Sequence, residues 1–170
     1  MSKKASERNE LAHEAWGSFL IAQARLLRGM GETMQATGVL PMEQYDVLLA
    51  LTQAPQRRLR LSDLAERIVF SRSGLTRLVD RLEAQGLLRR ERLEDDRRGV
   101  FAVLTSAGDA AMKKSWPTYK REIESRFAAH LSLDEARTMR DALARLIRAN
   151  GGSAGLVESP PVQLTIRGKR

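Results

Sequence analysis

Three features of the 170-residue sequence predict a mainly α-helical fold with one small antiparallel β-hairpin. Apolar residues recur at three- and four-residue intervals over most of the chain, which is the spacing of amphipathic helices. The spacing changes to two in residues 88–93 and again in residues 100–104, and turn-forming residues 94–99 lie between these segments. The chain has no cysteine, so packing rather than disulfides must hold the fold.

Two short helices joined by only a few residues are predicted just before the hairpin. Ser62 is placed to cap the first helix, which we expect to run to about Val69, and Ser71 is placed to cap the second. One stripe of the second helix is apolar and repeats at helical spacing: Leu75, Leu78, Val79 and Leu82. Gly86 is placed to end this helix in the left-handed conformation. The pattern predicts a helix-turn-helix.

A basic hairpin beside a helix-turn-helix is typical of a winged helix, with the hairpin as the wing. The outer face of the second helix and the wing then form one positive surface, which is the candidate DNA face. Arginine can bond guanine in the major groove, and serine or threonine can reach phosphates or base edges. The alternatives are an ordinary solvated helix face and a surface ion-pair cluster at the hairpin turn. The predicted DNA-binding residues are Ser71, Arg72, Ser73, Thr76, Arg77, Arg81, Asp96, Arg97 and Arg98.

From about residue 16 to residue 147, the sequence resembles the MarR-type regulators of multiple antibiotic resistance. The resemblance is carried by the run LSDLAERIVFSRSGLTRLVDRLEAQGLL and by a wing signature formed by Asp96, Arg98, Leu104 and Thr105. It implies a dimeric winged helix whose wing arginine enters the minor groove, and a short strand at residues 59–61 that pairs with the wing. One departure is Leu40 before Pro41, where many family members have a capping threonine.

Helices at both ends of the chain are predicted to form a dimerisation region. Residues 10–35 carry apolar side chains around more than one stripe, and a terminal helix has few neighbours in its own subunit. The alternative is that this helix packs wholly inside its own chain. Residues 106–149 are predicted to hold two helices. Thr105 is placed to cap the first, which we expect to run to about Leu131 with an interruption at Pro117. A last helix with a capping box from Ser132 to Glu135 follows and carries an apolar seam.

A single domain is the expectation for residues 1–150, with a DNA-binding lobe at residues 41–105 between the dimerisation helices. Residues 151–170 form a C-terminal extension rich in Gly, Ser and Pro. Within this extension, residues 162–166 are a candidate short strand or docking segment.

The composition restricts the function. The chain has 29 Lys and Arg residues against 21 Asp and Glu, and the formal charge of +8 suits a polyanionic partner such as double-stranded DNA. No cofactor or metal site is predicted, since His13 and His130 are the only histidines and thiolate ligands are absent. No phosphate loop or nucleophile motif is present, so an enzyme is not expected. Without a long apolar run or a secretory signal, we expect a cytoplasmic protein with no membrane contact.

The resemblance also implies a ligand cleft between the dimer helices and the DNA-binding lobe. Trp16, Tyr45 and Trp116 fall on helices that line this cleft in the family, although such residues are more often part of the core. Family members commonly bind small aromatic acids there. We therefore expect a small aromatic carboxylate, paired with wing arginines, as the effector.

The sequence thus predicts a homodimeric, sequence-specific DNA-binding regulator, a repressor that a small aromatic acid releases from a pseudo-palindromic operator. One alternative is a sequence-nonspecific architectural DNA-binding protein, which would show a small ratio of specific to nonspecific affinity. The other is an interaction module that does not bind DNA even at low salt.

Overall fold

A computed structural model describes residues 3–68, 72–93 and 96–151, with the backbone alone at residues 72, 73, 93 and 96–98. In these ranges the helices are α1 (Lys3–Ala36), α2 (Met42–Gln53), α3 (Leu61–Arg67), α4 (Arg72–Ala84), α5 (Ser106–Arg126) and α6 (Leu133–Ala149). The strands are β1 (Arg58–Arg60), β2 (Leu88–Leu93) and β3 (Asp96–Leu104). They form one antiparallel sheet in the order β1-β3-β2, which confirms the mainly α fold with a small sheet.

The core is built around α2, which contacts α1, α3, α4, α5 and the sheet. Its residues Tyr45, Leu48 and Leu51 are at most 1% exposed and form its inward face, whereas Leu49 is only partly buried. From α1 only Gly29, Met30 and Met34 are buried, all in the second half of that helix. Within the described residues, no helix has an apolar stretch of the length that crossing a bilayer requires.

Two predicted helix starts were wrong. The first helix begins at Lys3 rather than at residue 10, because the charged lead-in consists largely of good helix formers such as Lys, Ala, Glu and Arg. The next error concerns α3, where Ser62 is not the N-cap: its hydroxyl donates to Asp63 Oδ1 at 3.0 Å. Strand β1 ends at Arg60, whose extended backbone occupies the N-cap position, so the strand passes directly into the helix.

Pro117 does not interrupt α5, contrary to the prediction, and the helix continues to Arg126. A proline removes one backbone donor from a helix, and the packing of α5 against both α1 and α2 offsets this loss. The predicted capping box of α6 is confirmed. Ser132 accepts from the backbone N–H of Glu135, and Glu135 accepts from the backbone N–H of Ser132 at 2.8 Å.

The chain that enters α2 is held by a contact with α5. Pro41 occupies the N-cap position and makes no side-chain capping hydrogen bond. The backbone N–H of Leu40 donates to Ser115 Oγ at 3.1 Å, and that hydroxyl donates to the Ala111 carbonyl at 2.8 Å. Ser115 is 1% exposed, so a buried hydroxyl of α5 fixes the segment just before α2.

The junction between the wing and α5 depends on a close backbone approach. Thr105 is the N-cap of α5, as predicted for this residue: its hydroxyl accepts from the N–H of Gly108 at 3.0 Å and donates to the Gly86 carbonyl at 2.7 Å. Gly86 has a φ of +70°, the left-handed conformation expected at the end of α4. At Gly108, an added Cβ would lie 2.1 Å from the carbonyl oxygen of Leu87. The first turn of α5 can therefore contact the chain before β2 only with glycine at this position.

We expect Gly108→Ala to lower the free energy of unfolding by about 1 to 3 kcal/mol, because the methyl group would meet backbone that cannot easily move. Gly31→Ala is the matched control, since a Cβ there has no atom within 4 Å. As a helix-interior glycine, Gly31 should give a gain of roughly 0.5 to 1 kcal/mol on substitution. Chemical denaturation of both variants measures the difference. Similar stabilities would show that the junction tolerates a side chain.

Candidate nucleic-acid interface

Helix α4 has one buried and one exposed face, as its sequence predicts. The buried side chains are between 0 and 5% exposed: Leu75, Leu78, Val79 and Leu82. The opposite face exposes Thr76, Arg77, Asp80 and Arg81. The helices α3 and α4 are separated by only a few residues, and both pack on α2. The exposed face of α4 therefore lies on the outer surface of this helix pair.

The remaining predicted DNA-binding residues are placed only by their backbone or lie outside the described residues. Arg72 and Ser73 lie in the first turn of α4, whereas Ser71 is outside the described residues. The wing residues Asp96, Arg97 and Arg98 lie in β3, so the prediction that the second wing strand begins at residue 100 was wrong. Pairing with β2 extends to Leu93 opposite Asp96, after a register shift that begins at Arg92. The bulge keeps the two strands paired closer to the tip of the wing than the sequence suggests.

Arg90 connects the wing to α4. Its backbone N–H donates to Glu83 Oε1 at 2.8 Å, and its guanidinium group donates to Glu83 and Asp80. Burial disfavours the charged form, but the hydrogen bonds to both carboxylates outweigh it and raise the pKa of Arg90. Asp80 therefore orients an arginine rather than facing DNA. Arg90 thus acts within the fold.

Three other arginines of the sheet and two of α4 differ in their partners. On the sheet, Arg89 pairs with Glu91, and the guanidinium groups of Arg58 and Arg60 lie 5.6 and 5.5 Å from the ring centre of Phe101. On α4, no ion pair joins Arg77 or Arg81 to any described residue. The guanidinium groups of Arg77 and Arg81 are therefore unneutralised charges on the exposed face of α4, whereas those of the three sheet arginines each contact another side chain.

The three aromatic residues predicted to bind a ligand are not brought together. Trp16 is 59% exposed on α1, where its ring contacts Phe19. Tyr45 is 1% exposed and its ring lies 4.6 Å from that of Tyr119. Trp116 lies 6.3 Å from the same tyrosine and packs against the core. Tyr45 and Trp116 thus belong to one aromatic cluster in the core.

A cleft of about 670 Å³ lies between α1, α2 and α3, where the predicted dimer helices meet the DNA-binding lobe, and its described lining contains none of the three aromatic residues expected there. Its described lining includes the charged residues Glu43, Asp46 and Arg67. Burial, together with the neighbouring charge of Glu43, raises the pKa of Asp46 to about 6. The available signal was Asp46 itself, an acid in the middle of an apolar run on a helix predicted to face the core.

No group of three or more His, Asp or Glu residues that could hold a metal ion occurs in the described part of the chain. Four acidic residues there have structural roles: Asp80 and Glu83 hold Arg90, Asp109 accepts from Arg57 at 3.1 Å, and Glu135 caps α6. Glu43 and Asp46 have no such partner and line the cleft.

Several known proteins are similar to this chain in sequence and in fold. The MarR family model matches residues 37–99. The HTH-type transcriptional repressor MdtR of Bacillus subtilis is 30% identical over 120 residues, covering 71% of this chain and 75% of that protein. Two crystal structures from Streptomyces coelicolor each superpose with a TM-score of 0.74.

One of these structures is AbsC, a MarR family transcriptional regulator with 32% identity, for which the match covers 83% of this chain and 95% of that one. The other is Sco3205, a MarR family regulator in complex with DNA, with 27% identity over 88% of this chain and 94% of that one. Sequence and fold agree over both the helix pair and the terminal helices. The chain therefore belongs to the MarR family of DNA-binding transcriptional regulators and is not an enzyme.

Proposed function

We propose that two copies of this chain form a cytoplasmic, sequence-specific repressor that a small ligand releases from a pseudo-palindromic operator. Residues 1–150 would form one domain, with residues 41–105 binding DNA and the terminal helices holding the dimer. The observation that carries the proposal is the exposed face of α4, on which Arg77 and Arg81 have no ion pair to a described residue.

The charges of α4 fit the major groove of DNA. Arg77 and Arg81 are one helical turn apart and so lie on the same side of α4, opposite its buried stripe. Unneutralised guanidinium groups on a protruding helix attract phosphates and can bond guanine bidentately. We also propose that Ser71, Arg72, Ser73 and Thr76 contact the same groove, and that Asp96, Arg97 and Arg98 serve the wing. The fold supports this assignment because α4 and the wing are held together by Arg90.

The dimer is supported by apolar surface that the single chain leaves uncovered. Exposed fractions along α1 reach 66% at Leu11 and 60% at Ile21, and α6 buries only Ala144 among its residues. A groove of about 870 Å³ between α1, α5 and α6 is lined largely by apolar side chains, including Phe127 and Leu143. Apolar surface of this extent marks an interface in a water-soluble regulator. A second copy, with the same helices related by a two-fold axis, is the occupant we propose.

Repression and its release are the finer parts of the proposal. The Bacillus subtilis relative is named a repressor, which supports the same direction of regulation here. The 670 Å³ cleft touches α1 on the dimerisation side and α2 and α3 on the DNA-binding side. A ligand that contacts both sides can change the spacing of the two DNA-binding lobes of a dimer only if it binds one spacing more tightly than the other. This difference in affinity sets the size of the change. The aromatic carboxylate expected from the sequence is one candidate for this ligand.

Arg77→Ala should weaken operator binding by roughly 1 to 3 kcal/mol if Arg77 makes a bidentate base contact. It should also relax the base preference at one position of each half-site. The measurement is selection of binding sites from random DNA, followed by titration of the selected operator and of unrelated DNA. The selected sites should be pseudo-palindromes with half-sites about one helical turn apart.

The control for this experiment is Arg137→Ala, which removes an exposed arginine of α6 that pairs with Asp134. It should leave operator preference unchanged. An equal loss of affinity for every DNA sequence in Arg77→Ala would assign Arg77 to a phosphate instead. Failure of the unaltered protein to bind any DNA at low salt would refute the proposed function.

Leu143→Asp/Leu146→Asp should convert the dimer to monomer, because two charges would enter the apolar groove and the adjoining exposed surface of α6. Sedimentation velocity measures the change. Arg137→Glu/Arg148→Glu is the control, since both residues lie on the opposite face of α6 and should leave the mass unchanged. A dimer that survives the leucine substitutions would place the interface elsewhere.

A further inference from the structure

The cleft between α1, α2 and α3 has the size and lining of a small-molecule site. Its volume of about 670 Å³ lies within the range of about 300 to 1,000 Å³ that is usual for ligand pockets. Leu27 of α1, Leu49 of α2 and Ile68 of α3 provide apolar walls. A ring-sized apolar body can therefore be enclosed between the three helices.

The charged groups of this cleft are mainly acidic. Glu43 and Asp46 are three residues apart on α2 and so project to the same side of that helix. No hydrogen bond or ion pair connects either carboxylate to another described residue. Arg67 is the one basic residue in the described lining, and it is exposed and makes no ion pair with them. Carboxylates thus outnumber cations in a cleft whose walls are otherwise largely apolar.

Two neighbouring carboxylates at an apolar wall are unfavourable without a counter-charge. Their mutual repulsion and partial burial are the reasons why the pKa of Asp46 is raised to about 6. A cation placed between them would relieve both effects, whereas an anion would add a third negative charge. The negative electrostatic potential of the cleft therefore favours a ligand with a positive charge.

We propose that the effector of this regulator is a small organic cation with an apolar ring, whose charge pairs with Glu43 and Asp46 while its ring packs between Leu27, Leu49 and Ile68. The effect of the ligand on DNA binding rests on the proposed function, whereas the binding site itself is inferred only from the geometry and charge of the cleft. This cation differs from the aromatic carboxylate expected from the sequence. Two of the arginines at the base of the wing, Arg89 and Arg90, are already bound to carboxylates of the protein and so are less suited to pair with an acid.

Binding of a cation should depend on pH through Asp46. The ligand favours the ionised carboxylate, so affinity should fall as the pH falls through about 6. The groups around Asp46 are Glu43 on its own helix, Arg67 on α3, and the hydroxyls of Tyr45 and Tyr119. Burial raises the pKa of both tyrosines, to about 12 for Tyr119, so both stay neutral over this range. From α1 the cleft receives Gln23, which carries no charge.

The test uses three ligands with one ring system and different charge: 1-naphthylmethylammonium, 1-naphthylmethanol and 1-naphthoate. Isothermal titration calorimetry with the full-length protein at pH 7.5 should show the cation binding about tenfold or more tightly than 1-naphthoate, with the alcohol between them. Glu43→Gln/Asp46→Asn should remove this preference and leave the affinity for the alcohol within about twofold. This variant should fold, because it removes charges that burial and repulsion disfavour.

Glu66→Gln is the matched control, since it removes one negative charge from the exposed surface of α3, outside the described lining of the cleft. It should leave all three affinities unchanged. Three outcomes would overturn the proposal: equal affinities for the cation and 1-naphthoate, tighter binding of 1-naphthoate that is lost in Arg67→Gln, and no binding of any of the three.

Operator binding by the same protein preparation separates the two proposals. Cation binding that weakens operator binding supports both the site and its role as an effector site. Intact operator binding with no preference for the cation refutes the cation site alone. Cation binding by a protein that binds no DNA refutes the proposed function and leaves the site in place. By thermodynamic reciprocity, the operator should weaken cation binding by the same factor as the cation weakens operator binding.

Discussion

The burial of α2 is the constraint on which the rest of the structure depends. This single helix contacts α5 and the end of α1 on one side, and α3, α4 and the sheet on the other. Tyr45 stacks near Tyr119 of α5, while Leu48 and Leu51 are fully enclosed in the common core. Because interiors are close-packed, a displacement of α2 changes the packing of α1 and α5 and of α3 and α4 together. The cleft that we assign to the effector borders this helix.

The distribution of arginine partners explains how a strongly basic chain can combine a stable fold with a charged binding face. Arg90 is held by Asp80 and Glu83, and Arg89 by Glu91. In contrast, Arg77 and Arg81 of α4 are left without ion pairs to described residues. Counting basic residues therefore says little about where a polyanion would bind. What distinguishes the two groups is whether an acidic side chain already neutralises them.

Much of the fold follows from local sequence, because local contacts determine it. The buried stripe of α4, the capping box at Ser132, the N-cap Thr105 and the left-handed Gly86 all depend on residues a few positions apart. Local sequence is not sufficient where distant contacts decide, as at Pro117 and at the start of α2. Pro117 lies inside a continuous helix that is packed on two others, and the start of α2 takes its hydrogen-bonding oxygen from Ser115, far along the chain.

The candidate functional surfaces were likewise predictable only where local sequence determines them. The exposed face of α4 could be predicted because its position follows from the period of one helix. The residues that line the cleft could not be predicted, because they come from α1, α2 and α3, and the role of Asp46 depends on what lies opposite it. For two of the aromatic residues predicted as ligand contacts, the residue type fits two different roles. Tyr45 and Trp116 are suited to stacking on a ligand, but the same property makes them good core residues, and they pack around Tyr119.

The attachment of Arg90 to both Asp80 and Glu83 has a consequence for how an operator is distinguished from similar DNA. Two carboxylates of α4 and one residue of β2 fix the angle between the helix and the base of the wing. This connection restricts the movement of the helix past the base of the wing, so we expect part of the adjustment to a groove of unusual width to fall on the DNA. The energy of that adjustment depends on the flexibility of base steps that the protein never touches. Part of the sequence preference would then come from the stiffness of the DNA at base steps that lie between the contacted bases.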